Sequence, residues 1–234
     1  MDFSVLTDHL PEIAHGFLIT LLSWFGGIML GAILGLLIAI IQLGAGRWVR
    51  AGLRVYIEIV RATPFLVQLF LLYYGGPALG LRLSPMAAGL IGLGIYGSVY
   101  FAEIFRTGFL SVPRGQIEAA HMLGMSPRTV IRRIQLPQMM VLILPALTNF
   151  TIVLGKETPI LSIITVPELT FVLTGIGSET FAYVETLLAL CVGYYLMAEF
   201  CSRLGQRLES RMGRYLGQQS SGISSERNTA GART

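Results

Sequence analysis

The stretch RGQIEAAHMLGMSPRTVIRRIQLPQ, Arg114 to Gln138, lies between two long apolar runs and carries four arginines, two glycines and two prolines. From Arg114 to Leu123 only Gly115 disfavours a helix, and Gly124 is placed to take the left-handed conformation that ends one. Ser126 and Pro127 then supply an N-cap and a first-turn proline, which start a second helix. Leu136-Pro137 marks a further re-aiming of the chain as it enters the next apolar run. The stretch therefore reads as helix, corner, helix. Ala119 and Ala120 keep the first helix narrow, as a helix lying in a groove of another protein requires. A plain hairpin joining two apolar segments fits the residues equally well.

The rest of the chain says where this corner sits. Of 234 residues, 53% are hydrophobic and 13% charged, and the mean hydropathy is +0.68. Soluble domains carry about 25% charged residues, so this chain cannot cover a water-facing surface. It is expected to be an all-α integral membrane protein. A net charge of +4 must be read by location, and no nucleic-acid partner is expected. Cys191 and Cys201 are ten residues apart in one apolar run, too distant along a helix to bond. The opening MDFSVLTDHLPEIAHG carries acids where a cleavable leader has a basic region.

Five spans are expected. They run at about residues 17–43, from near Gly52 through the run after Pro64, 86–105, 139–154 and 181–200. Before Pro64, Arg54 and Glu58 are spaced for an i,i+4 ion pair, with Arg61 one turn further on, along a helical lead-in to the second span whose entry Pro64 bends. In the fourth, GKETP (Gly155 to Pro159) interrupts the apolar run, either as the outer end of the span or as an unwound point inside it. All basic residues except Arg82 and Lys156 fall between spans one and two, between three and four, or after five. The positive-inside rule makes those segments cytoplasmic and puts the N-terminus and the segment with Glu168, Glu179 and Glu185 outside. Residues 217–234, rich in Gly and Ser, are expected to be a disordered cytoplasmic tail after a transmembrane domain of residues 1–216.

Glu118-Ala119-Ala120, Gly124, then Ile134, Leu136 and Pro137 resemble the EAA motif of ABC-importer permeases. VRATPFLVQLFLLYYG (Val60 to Gly75), YFAEIFRTGFLSVPRGQ (Tyr100 to Gln116) and ITVPELT (Ile164 to Thr170) are similar to the polar amino acid uptake permeases of the histidine, glutamine, arginine and opine type. The similarity runs from about residue 11 to 214. It implies a five-helix subunit with a coupling helix at about 114–124, in which Glu118, Ala119, Ala120, Gly124, Leu136 and Pro137 dock on an ATPase. It also implies a second permease subunit, identical or paralogous, two cytoplasmic ATP-binding subunits, an extracytoplasmic solute-binding protein and an inner-membrane location. At GKETPILSI the chain departs from the usual aspartate and serine, with Glu157 and Pro159 instead.

No catalytic constellation or metal-ligand cluster is expected, and Gly155-Lys156 lacks the other parts of a phosphate-binding loop. ATP would be bound by partner subunits, and this chain needs no cofactor of its own. Ionisable groups inside a membrane are costly and therefore functional candidates. Lys156 and Glu157 offer opposite charges beside a break, matching an amino acid's carboxylate and ammonium; snorkelling or mutual pairing is the alternative. Glu103 is a pathway candidate or a partner for Arg106, and Gln68 and Asn149 either bind solute or join helices. Gly27, Gly31 and Gly35 form a small-residue stripe for close packing within the subunit or at a dimer seam. A secondary transporter or channel is the rival, but neither paired repeats nor a recurring polar lining is present.

Overall fold

The computed structural model describes the backbone of residues 3–231 and the side chains of residues 3–212. Its helices are α1 (Ser4–Asp8), α2 (Leu10–Gly44), α3 (Arg47–Ala62), α4 (Phe65–Phe70), α5 (Pro85–Ser111), α6 (Arg114–Met122), α7 (Pro127–Val130), α8 (Leu136–Gly155), α9 (Leu169–Thr180) and α10 (Tyr183–Gly231). Four helical runs are long and apolar enough to cross a membrane, and a bent fifth is made by α3 with the segment Phe65–Leu79. The disorder expected for residues 217–234 falls beyond the described side chains.

The frame is the pairing of α2 with α5. Gly27, Gly31 and Gly35 are buried along α2 and lie against α5, so the stripe serves packing within the subunit. A Cβ on Gly31 would stand 3.2 Å from the Gly97 backbone, and one on Gly35 would stand 2.8 Å from Ala102 N and the Ser98 carbonyl. Small residues permit this approach in lipid, where dispersion contacts replace the hydrophobic effect. Gly35→Leu is therefore expected to cost at least about 3 kcal/mol, at the upper end of overpacking, and to remove most folded protein from detergent extracts. Wild-type yield and thermal stability of that variant would exclude the seam.

The second crossing bends at Pro64, as expected, and the bend is sharp. α3 and Phe65–Leu79 are bent by 103°, because Pro64 has no N–H for a helical bond and forces Thr63 to extended angles (φ −99°, ψ 128°). Gln68 Nε2 donates to the Val60 and Thr63 carbonyls at 2.7 and 2.8 Å, satisfying groups that the break leaves open. The i,i+4 pair expected of Arg54 and Glu58 does not form. Among the described residues, the ion pairs are Glu103–Arg106 and Glu199–Arg203.

The corner from Arg114 to Gln138 folds as its residues dictate except at Leu136-Pro137. Gly124 (φ 74°) ends α6, its N–H bonding the His121 carbonyl at 2.9 Å while the Met125 N–H reaches Ala120 at 3.1 Å. This is a Schellman closure. Ser126 then caps α7 by accepting from the Thr129 N–H at 3.3 Å. At Leu136-Pro137, however, the chain does not turn. A π-turn at Ile131–Gln135 joins α7 to α8, widening the helix where Pro137 lacks an N–H and would otherwise press on the preceding turn.

Inside the bundle, Phe150 of α8 stacks on Tyr100 at 4.8 Å and meets Phe101 edge-on at 4.9 Å, both from α5. α8 also packs on α10, and α9 bridges α10 and α2. Glu168 has no exposed surface. Its carboxylate caps α9 by accepting from the Phe171 N–H at 2.8 Å and accepts from the Tyr194 hydroxyl of α10 at 2.9 Å. Thr20 of α2 completes the knot by accepting from the Leu169 N–H at 2.9 Å.

Candidate functional site: a helix break and an exposed corner

α8 ends at Gly155, where Trp24 of α2 fills the space beside the backbone and leaves no room for a side chain. A Cβ at residue 155 would stand 2.8 Å from the indole, whose Nε1–H donates to the Thr151 carbonyl at 2.8 Å. The chain then winds tighter rather than unwinding. Thr158–Ile164 is a 3-10 helix that begins with Pro159 near its start, where a missing N–H costs nothing. Thr158 is fully buried. Its hydroxyl donates to the Gly155 carbonyl at 2.8 Å and lies 3.2 Å from the Tyr194 hydroxyl. Through Tyr194 the break is tied to the buried Glu168.

Lys156 is exposed at this point and Glu157 half-buried, and the two form no ion pair. Asn149 is also exposed and stands seven residues before Lys156, two helical turns along the same face. Leu142, Ala146 and Val153 continue that open face. Asn149 and Lys156 are thus brought together on one uncovered stripe, with the half-buried Glu157 next to Lys156 in the chain. Gln68 is not among them, since it braces the Pro64 bend. Glu103 is also elsewhere, held by Arg106 through bonds of 2.8 and 3.3 Å.

Sequence reasoning missed Tyr96 and Tyr100. Their hydroxyls lie 3.4 Å apart, and the Arg61 guanidinium stands 5.5 Å from the centre of the Tyr100 ring. The available signal was the i,i+4 spacing of the two tyrosines in YGSVY, which puts them on one helical face. Glu168 was missed for a different reason: an acid beside a proline between spans reads as solvated.

The corner is a protrusion. Glu118 and Ala119 are exposed, as are Met122 at 89% and Leu123 at 82%. Ala120 is only 3% exposed and belongs to the subunit's own core, so a narrow double-alanine face is not what α6 offers outward. Leu136 packs on the main core at the root of the protrusion, and Pro137 is exposed there. Gln138 Nε2 donates to Gln116 Oε1 at 2.6 Å, bracing α6 against α8.

A polytopic helical bundle with a charged helix break and a rigid, apolar-tipped corner defines a solute-translocating membrane subunit. The chain belongs to the binding-protein-dependent transport system inner membrane component family, which matches residues 27–214. It is 35% identical over 188 residues to a probable amino-acid ABC transporter permease protein, y4tG, of Sinorhizobium fredii, covering 80% of this chain and 81% of that one. It is 29% identical to the arginine transport system permease protein ArtQ of Bacillus subtilis, covering 91% and 97%. A crystal structure of an amino acid ABC transporter with histidines superposes with a TM-score of 0.82 at 36% identity, covering 90% of this chain and 99% of that one. The MetNI methionine ABC transporter, inward-facing, shares the fold with a TM-score of 0.68 at 19% identity, covering 91% and 99%. The chain is therefore an ABC-importer permease subunit with the fold of that class.

Proposed function

We propose that this subunit imports a polar amino acid, or a derivative of one, by alternating access powered by separate ATPases. The chain carries no catalytic step itself. Two cytoplasmic ATP-binding subunits grip the α6 corner, a second permease subunit (identical or paralogous) completes the pathway, and an outer binding protein delivers solute. The N-terminus lies outside and the corner inside, on the arginine-rich face. The observation that carries this reading is the exposed Met122–Leu123 tip on a corner closed by Gly124 and anchored by the Gln116–Gln138 bond. An apolar tip on a rigid mount transmits displacement in both directions, as rigid-body coupling requires. Co-purification of an ATPase from detergent, lost on deleting residues 114–124, tests the docking. Labelling of a cysteine placed at Met122 from the cytoplasmic side tests the orientation, and labelling from outside would overturn it.

The open stripe on α8 is the solute path. Lys156 faces an α-carboxylate, Glu157 an α-ammonium, and Asn149 supplies neutral hydrogen bonds two turns deeper. The amino-acid names of the relatives support this substrate class. Hydrogen bonds to charged groups contribute about 1.5–3 kcal/mol each. Lys156→Ala and Glu157→Gln are each expected to raise the amino acid concentration that half-stimulates ATPase activity in reconstituted complexes by about tenfold or more. Wild-type responses from both would take the break out of the pathway.

A further inference from the structure

α3 has three faces. Ile57 and Val60 pack inward against Val99 and Ala102 of α5. Trp48, Val55 and Ile59 form an exposed apolar stripe, with Trp48 80% exposed. Arg50, Arg54, Glu58 and Arg61 share the remaining face. The 103° bend at Pro64 sets this helix across the direction of the segment that follows it. A helix with this division of faces and a tryptophan on its apolar side lies in the membrane interface.

The charged face closes over a cavity of about 520 Å³, whose far wall is made by Gln42 at the end of α2 and by Glu103 and Arg106 near the end of α5. Four arginines and two glutamates line it, a net charge of +2. Glu103 is already taken by Arg106. Among the described residues, Arg50, Arg54 and Arg61 make no ion pair. Gln42 Oε1, lining the same cavity, is buried without a hydrogen-bond partner.

We propose that this cavity binds the phosphate headgroup of an anionic phospholipid of the cytoplasmic leaflet. Arg50, Arg54 and Arg61 hold the phosphate, Gln42 Oε1 accepts a headgroup hydroxyl, and Trp48, Val55 and Ile59 lie against the acyl chains. The choice of leaflet rests on the orientation given under Proposed function; the site itself does not. A free phosphate ion would use the same guanidiniums but would leave the apolar stripe bare. Basic pockets among cytoplasmic helix ends recognise anionic lipids through this combination.

The test uses complex purified in detergent and incubated with phosphatidylglycerol or phosphatidylcholine, with bound lipid counted on the permease by native mass spectrometry. Phosphatidylglycerol is expected to be retained in preference. Arg50→Gln/Arg54→Gln lowers its retention about 25-fold, about fivefold for each surface cation removed. Arg50→Lys/Arg54→Lys keeps the charge and most of the retention. Equal retention of both lipids overturns the proposal, as does displacement by millimolar inorganic phosphate with no preference between lipids. Loss of retention in the lysine variant would mark a structural effect and also overturn it. If the glutamine variant sheds another subunit while keeping its phosphatidylglycerol, the face is a protein contact instead. Because lipid is read on the permease, absence of a co-purifying ATPase would count against the transport reading alone.

Discussion

Met122→Asp is expected to abolish ATP-driven uptake while the chain inserts and folds at its wild-type level. Met122 is 89% exposed, so a carboxylate there disturbs nothing within the subunit. Against an apolar groove of a partner it becomes a desolvated, unpaired charge. Losing an apolar anchor at such a contact costs about 2 kcal/mol or more, a weakening of roughly thirtyfold, before the buried charge is counted. Gly124→Val reaches the same end by another route. Its φ of 74° is poorly tolerated by a β-branched residue, so the Schellman closure opens and the tip loses its mount. Uptake in whole-cell assays, with ATPase co-purification beside it, reads both variants. Normal uptake with either would end the role assigned to the corner.

The second large effect is at Glu168. Glu168→Ala removes the charged acceptor of the Tyr194 hydroxyl, leaving it only the weaker Thr158 and Thr170 hydroxyls, and leaves the first turn of α9 without its cap at a fully buried position. Hydrogen bonds to a charged group contribute about 1.5–3 kcal/mol each, and groups orphaned by burial add their own cost. A loss of at least about 3 kcal/mol is expected, seen as a fall in the detergent melting temperature. Glu168→Gln keeps one carbonyl acceptor for the α9 cap and should recover part of that loss. Equal melting of the alanine variant and wild type would mean the knot contributes nothing. Because Tyr194 also contacts Thr158, the alanine variant should loosen the 3-10 turn beside Lys156 and weaken solute response as well.

Most of the architecture was legible because its signals are local. Apolar run length located the helices, and the Gly124-x-Ser126-Pro127 sequence specified the corner almost atom for atom. Residues whose roles depend on partners far along the chain were not legible. Thr20 and Glu168 are separated by 148 positions, and Trp24 and Thr151 by 127. Nothing in either neighbourhood announces the meeting. Pro137 was misjudged because a proline signals a missing donor, and a π-turn accommodates that without a change of direction. Ala120 was misjudged because a small residue serves a foreign groove and the subunit's own core equally well. Of the pathway candidates, the i,i+7 relation of Asn149 and Lys156 was present in the sequence, whereas the Gln68 brace depends on how sharply the chain bends at Pro64, by 103°, which brings the Val60 and Thr63 carbonyls within its reach.

The backbone contact between α2 and α5 has a mechanical consequence. Two helices that slide past each other do so by letting interleaved side chains hop between rotamers, and at Gly31, Gly35 and Gly97 there are none to hop. Peptide planes in direct contact resist sliding and twisting alike. This pair should therefore behave as a stator, keeping constant separation between inward- and outward-open forms, with the working stroke taken up by α8 and α10 against it.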